Sequence, residues 1–325
     1  MTELVHVVVM GADETEAPPG IGVLAGRVDL RFAATREALA GSIADADVLF
    51  AWRANRDLLP YVWGAARRLR WIHSASAGVD GLLFPELVES DVILTNARGV
   101  FDEAMAEYVI GLLLMFAKGL VGVVDGLRRR EWLHRETERL AGQHLLVVGV
   151  GSIGRAIGRA GLAMGMQVRG VGRTSRPGDD VFGVVLGAEE LLDALGWADA
   201  AVDVLPDSPS TRHVFGQAAF AAMRPSARFV NVGRGSTVDE MALVDALRSG
   251  RIAGAALDVF EEEPLPPESP LWDLAGLIVS PHMSGDVAGW REAGVELFIE
   301  NLDRFIAGRP LRNVVDKRLG FVPST

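Results

Sequence analysis

Three polar residues in the second half of the chain carry groups suited to acid–base chemistry on a carboxylate-bearing carbonyl compound: Arg234 in NVGRG, Glu263 in DVFEEEP and His282 in SPHMSG. A guanidinium is a rigid fork that can hold a carboxylate and a carbonyl oxygen together while polarising the carbonyl. Histidine has the reference pKa suited to protonating the alkoxide formed when a hydride reaches that carbon. A carboxylate beside the imidazole holds the ring and favours its charged form. Position alone does not choose among Glu261, Glu262 and Glu263. Each of these residues taken singly also suits a solvated loop.

A hydride source is implied by GVGSIG, in which Gly149, Gly151 and Gly154 follow the apolar run His144–Val148 and lead into the helical pattern Arg155–Met164. The first glycine permits the tight turn, the second lets backbone approach a pyrophosphate, and the third lets helix pack on strand. The phosphates then meet free amides and the positive end of a helix dipole, which places Ser152 and Ile153 at the cofactor with the glycines. The acidic ribose reader expected about 20 residues further on is missing. Gly172 stands there, followed by Arg173, Thr174, Ser175 and Arg176. Guanidinium and hydroxyl donors suit a 2′-phosphate, so the pattern predicts NADPH over NADH, with NAD still usable.

The elements that must position these groups form an α/β pattern. In the first hundred residues, short apolar strands alternate with amphipathic helices: Val5–Met10, the region around Thr35–Ser42, Val48–Trp52, Leu69–His73 and Val92–Thr95. A long helix is expected from Asp102 to about Gly126. Strands follow at Val168–Val171, Ala200–Leu205, Arg228–Val232, Ile252–Leu257 and Leu277–Ser280, with helices Asp239–Ser249 and Val287–Ile306. The whole reads as doubly wound parallel sheets, in which ligands sit at the carboxyl ends of strands. Trp52 and Arg53 follow a strand of the first part and are expected at the substrate pocket, with Trp290 and Met283 close to His282 in sequence.

The ordered motifs GVGSIG, LPDSPSTRH, FVNVGRGSTVDE, GAALDVFEEEPLP and VSPHMSG resemble those of the D-isomer-specific 2-hydroxyacid dehydrogenase family over nearly the whole chain. The tail LRNVVDKRLGFVP and the segment FAWR are most similar to the glyoxylate/hydroxypyruvate reductase branch. The resemblance implies a Rossmann dinucleotide-binding domain, residues 97–281, inserted into a flavodoxin-like substrate domain of residues 1–96 and 282–325, with substrate in the cleft between them. It implies Arg234 as the substrate-orienting arginine, His282 as acid/base and Glu263, the glutamate directly before proline, as its partner. It also places the substrate carboxylate on backbone amides around Ala77, Gly78 and Val79. Leu205, Pro206, Val232 and Gly233 would line the cofactor groove, and Asp258 would meet the nicotinamide carboxamide. A homodimer is implied as well. The activity that follows is NADPH-dependent reduction of a small 2-oxo acid. Bulkier 2-oxo acids such as phenylpyruvate, and a dinucleotide-sensing, corepressor-like role, stay open as alternatives.

Composition narrows the field. A formal net charge of −11 leaves little basic surface for nucleic acid. The absence of cysteine removes thiolate nucleophiles, disulfides and cysteine metal sites. The longest apolar stretch, around Val109–Ala117, is far short of the roughly 20 residues a bilayer span needs. The N-terminus has an acidic start without a basic signal region, so a cytoplasmic protein is expected.

Overall fold

The computed structural model describes residues 4–53 and 56–323, so the acidic start of the chain lies outside them. The chain divides into two compact units, Met1–Phe101 with Val287–Thr325, and Asp102–Asp286.

The first unit holds a parallel sheet of β1 (His6–Met10), β2 (Asp29–Ala33), β3 (Val48–Ala51), β4 (Trp71–Ser74) and β5 (Ile93–Thr95), ordered β2-β1-β3-β4-β5. That is the flavodoxin-like order, with its switch point between β1 and β3. Strand β2 is not visible in the sequence, because DLRFA places Asp29 and Arg31 within it and breaks the apolar run. The Thr35–Ser42 region is a helix, Arg36–Ser42, with the Thr35 hydroxyl accepting from the Ala38 amide at 3.3 Å.

The second unit holds β6 (His144–Val148), β7 (Gln167–Val171), β8 (Arg176–Pro177), β9 (Val184–Leu186), β10 (Ala200–Asp203), β11 (Arg228–Asn231), β12 (Gly254–Leu257) and β13 (Leu277–Val279). Their order is β13-β12-β11-β10-β6-β7-β9-β8, parallel except for the edge pair β8 and β9. Strand order reverses between β6 and β10, the position at which a doubly wound sheet opens its ligand crevice. Register then decides which loops meet there. Val148, Asp203, Asn231, Leu257 and Val279 form one row across five strands, so the loops that follow them all leave the sheet at one level.

The long helix expected from Asp102 is two helices, Asp102–Lys118 and Leu120–Arg129, bent by 61°. Gly119 between them has φ 59°, a left-handed conformation that ends the first helix. Among the described residues no single helix is long and apolar enough to cross a membrane.

Each unit has its own core. Leu146, Leu195, Phe215, Phe220, Phe229 and Leu243 are fully or almost fully buried in the second. In the first, the helix Trp290–Ile306 inserts Val295, Phe298 and Leu302 against Val7, Val9, Phe50 and Trp71. The Phe298 ring stacks on Phe50 with centroids 4.2 Å apart and planes 2° from parallel. Residues nearly 250 positions apart thus share one apolar layer, and the terminal helix is held by burial rather than by local propensity. Phe298→Ala is expected to lower stability by about 3–5 kcal/mol through the cavity it leaves. Denaturant unfolding would measure this, and a loss under about 1 kcal/mol would show that the helix is not held by this ring.

Candidate active site

The glycine turn sits where the row of strand ends begins. Gly149, just after β6, has φ 110°, and a Cβ on it would come 2.8 Å from the Val204 carbonyl oxygen. A Cβ on Gly154 would lie 1.9 Å from the Gly149 carbonyl oxygen, so only hydrogen fits where the helix Ser152–Ala163 begins beside the turn. Gly151 differs: a Cβ there would meet no atom within 4 Å. The turn is therefore closed against the protein at Gly149 and Gly154 and open outward at Gly151. The first-turn amides of Ser152, Ile153 and Gly154 lack intrahelical acceptors, as at any helix start, and face that opening's end of the helix. This donor set and space suit a dinucleotide pyrophosphate.

The segment carrying Arg234 is clamped by two close backbone approaches. A Cβ on Gly233 would lie 2.7 Å from the Leu205 carbonyl oxygen, and one on Gly235 would lie 1.9 Å from the Phe260 carbonyl carbon. Leu205 follows β10 and Phe260 follows β12, so the Gly-Arg-Gly sequence is what allows this loop to run between its neighbours. Asn231 at the end of β11 fastens it from within. Its Oδ1 accepts from the Gly233 amide at 2.9 Å and its Nδ2 donates to the Arg234 carbonyl at 3.0 Å. Val232 is held by its amide on the Asp203 carbonyl at 3.0 Å. The Arg234 guanidinium, half-buried, donates to the Gly233 carbonyl at 2.8 Å.

His282 and Glu263 meet directly, with Nδ1 to Oε2 at 2.7 Å. The other carboxylate oxygen of Glu263 accepts from the Phe260 amide at 3.0 Å. Burial pushes the Glu263 carboxyl up, but the hydrogen bonds from His282 and the Phe260 amide and the charges of His282 and Arg234 outweigh it, leaving the pKa below the usual value. The hydrogen bond that His282 donates to Glu263 raises the His282 pKa above its ordinary value, against burial and the Arg234 charge. Arg234 thus lies within electrostatic reach of both partners. All three glutamates are exposed; Glu261 pairs with His213 at 2.7 Å, and Glu263 is the one bonded to His282.

His282 has φ 50°, in the left-handed region that disfavours side chains. Fully buried Asp258 holds that turn. Its carbonyl accepts the His282 amide at 2.8 Å, and its carboxylate accepts the Ser280 hydroxyl at 2.6 Å and the Met283 and Ser284 amides at 3.0 and 2.9 Å. Three bonds leave one acceptor position on that carboxylate. Leu205 and Pro206 lie in the loop after β10, where Thr211 Oγ1 donates to the Pro206 carbonyl at 2.7 Å.

The second cofactor cluster is less basic than the sequence suggests. Arg173, Thr174, Ser175 and Arg176 are all exposed after β7, but folding brings carboxylates to them. Asp179 takes Arg176 at 3.2 Å and Arg155 at 2.6 Å, and the Ser175 hydroxyl is bonded to Glu190. The hydroxyl of Ser175 is thereby already committed, and Arg176 is partly neutralised.

The remaining predicted residues belong to the first unit. Trp52 and Arg53 leave β3 beside Gly11, which follows β1, at the switch point; a Cβ on Gly11 would touch that of Arg53 at 2.7 Å. Arg53 pairs with Glu16 at 3.0 Å, and Trp52 stacks with Trp290, centroids 6.1 Å apart. Ala77, Gly78 and Val79 lie in the loop after β4, where the Ala77 carbonyl accepts from Asn96 Nδ2 at 2.5 Å and Val79 is buried.

Exchange of Glu263 for glutamine removes the charge that raises the His282 pKa and leaves burial and Arg234, which both lower it. The imidazole of Glu263→Gln is expected to titrate at lower pH than in the wild type when followed by proton–nitrogen NMR. An unchanged midpoint would show that this carboxylate does not set it.

Residues 110–284 match the family described as D-isomer specific 2-hydroxyacid dehydrogenase, NAD binding domain. A glyoxylate reductase of Thermococcus onnurineus is 33% identical over 296 residues, covering 88% of this chain and 87% of that protein. A D-3-phosphoglycerate dehydrogenase of Methanocaldococcus jannaschii is 32% identical over 90% of this chain, which spans 56% of that longer protein. The structure of an NADPH-dependent glyoxylate/hydroxypyruvate reductase from Sinorhizobium meliloti, in complex with NADP and sulfate, superposes with a TM-score of 0.83 at 28% identity. That match covers 97% of this chain and 100% of the other. Motif order, strand order and overall similarity agree, and the chain belongs to the D-isomer specific 2-hydroxyacid dehydrogenase family.

Proposed function

We propose that this chain reduces a small 2-oxo acid of the glyoxylate or hydroxypyruvate type to the D-2-hydroxy acid, with NADPH preferred. The observation that carries the reading is the 2.7 Å bond between His282 and Glu263, with Arg234 on a loop that leaves the sheet at the same level. The dinucleotide, bound over the glycine turn at Gly149, Gly151 and Gly154 and along Leu205, Pro206, Val232 and Gly233, supplies the hydride when present. Arg234 holds the oxo acid and polarises its carbonyl. His282 Nδ1 is occupied by Glu263, so Nε2 is the atom that gives its proton to the carbonyl oxygen as the hydride reaches carbon. The hydrogen bond to Glu263 favours the charged imidazole for that transfer. Ala77, Gly78 and Val79 offer amides to the substrate carboxylate, with Trp52 and Arg53 as further pocket residues and Asp258 toward the carboxamide. The preference for NADPH is supported by Arg173, Thr174 and Arg176 and by the NADP bound in the Sinorhizobium reductase.

A bulkier 2-oxo acid is favoured by one observation. Trp52 and Trp290 stack, and Phe101 packs on Trp290 at 5.6 Å, making a continuous aromatic surface at the end of β3. A panel of glyoxylate, hydroxypyruvate, pyruvate and phenylpyruvate, each with NADPH and NADH, separates these readings. His282→Ala is expected to lose most turnover, by at least about a hundredfold, while still binding NADPH. Near-normal kcat in that variant, or no oxidation of either cofactor with any acid, overturns the assignment.

We also propose a homodimer. The helix Leu120–Arg129 exposes Leu120, Val121, Val123, Val124 and Leu127, and Trp132 beyond it is 97% exposed. So much contiguous apolar surface is unusual on a monomer. Sedimentation should report two copies, reduced to one by Leu127→Ser combined with Trp132→Ser; a monomeric wild type would refute it.

A further inference from the structure

Asp203 closes β10 and is fully buried, one residue before the switch-point loop, yet it takes no part in the chemistry described above. Its Oδ1 accepts the Leu205 amide at 2.9 Å, and its Oδ2 is hydrogen-bonded to the Thr237 hydroxyl. The same hydroxyl lies 2.6 Å from the Arg234 carbonyl oxygen. One hydroxyl carries one proton, and here it has two oxygen partners at hydrogen-bond distance. If Asp203 were ionised, the proton would be needed between Thr237 and the carboxylate, and the 2.6 Å approach to Arg234 would set lone pair against lone pair. A proton on Asp203 resolves the count: Asp203 donates to Thr237, and Thr237 donates to the Arg234 carbonyl.

We propose that Asp203 is a positioning residue for Arg234, carried in its neutral, donating form, so that a two-bond relay through Thr237 fixes the loop that bears the guanidinium. The inference rests on the role given to Arg234 above. The surroundings favour the neutral form. Beside Asp203 stand Val148 on β6 and Asn231 on β11. The titratable groups on the adjoining segments are engaged elsewhere. Arg234 donates to the Gly233 carbonyl, Asp207 accepts from Ser236, His213 pairs with Glu261, Asp239 caps its helix at Ala242, and Asp258 holds the turn at Ser284. Burial pushes the Asp203 carboxyl up to about 7, against the lowering effect of its bonds to Thr237 and Leu205. Above that range the lost proton leaves the Arg234 carbonyl without its hydroxyl donor, and the loop loosens.

Asp203→Asn keeps a donor toward Thr237 and an acceptor for Leu205 but cannot ionise. Three measurements on the full chain test the proposal. At about pH 6, the infrared difference spectrum of wild type minus Asp203→Asn is expected to contain a protonated-carboxyl carbonyl band that is gone by about pH 9. A carboxyl raised by folding contributes stability below its unfolded pKa of about 4 and loses it as pH rises through its folded value. The wild-type melting temperature should therefore fall relative to Asp203→Asn across that window. With NADPH, KM for glyoxylate should rise several-fold more in the wild type than in Asp203→Asn at alkaline pH, while the NADPH Kd changes equally in both. Deprotonation of His282 is common to both proteins and cancels. Thr237→Val should raise KM for glyoxylate at every pH. No carboxyl band, parallel melting curves, or identical KM profiles would overturn the relay. Absence of glyoxylate turnover would count against the proposed substrate instead, and the spectrum and melting curves would still decide the state of Asp203.

Discussion

Two contacts at which no side chain fits hold the site of the dinucleotide-binding unit together. Gly233 lies against the Leu205 backbone and Gly235 against the Phe260 backbone. A single methyl group at either place would push the loop off its neighbours, and the guanidinium between them would move with it. The register of the sheet makes this possible. Because Val148, Asp203, Asn231, Leu257 and Val279 share one row, the turn at Gly149, the loop at Leu205, the Arg234 loop, Asp258 and the His282 turn all emerge at one level.

Around that frame the buried polar groups act as fasteners. Asn231, Asp203, Thr237 and Asp258 are completely buried, and each bonds to the backbone of a functional loop. Buried polar groups are tolerated only when satisfied, and a satisfied network specifies one arrangement of the chain. The loops that carry Arg234 and His282 are thus set from the core outward. The His282 turn accepts a left-handed backbone because the carbonyl and carboxylate of Asp258 hold it there. Glu263 then holds the imidazole through its Nδ1 and favours its charged form.

Much of this was legible in residue order. GVGSIG announces a strand, a turn and a helix, and the structure has each, with the glycines divided between close packing and open space. Arg234, Glu263 and His282 stand out as polar residues at strand ends. Less legible were features that depend on distant partners. Strand β2 has two charged residues in five, and only its pairing with β1 makes it a strand. The bend at Gly119 interrupts an apolar pattern that by itself runs on as one helix. Carboxylates at Asp179 and Glu190 reach the Arg173–Arg176 segment through loops that no spacing rule anticipates.

Sequence alone determined the chemistry on offer and the alternation of strand and helix, because these follow from residue type and from periods of two and 3.6, which are local properties. It determined a dinucleotide turn, and through motif order the family. Tertiary structure decided that the Glu263 carboxylate is shared between His282 and the Phe260 amide, that Asp203 and Thr237 stand behind Arg234, and how the bases near the second cofactor cluster are balanced by acids. Those outcomes rest on register and on contacts between residues tens of positions apart, and such distances are settled only when the sheet is assembled.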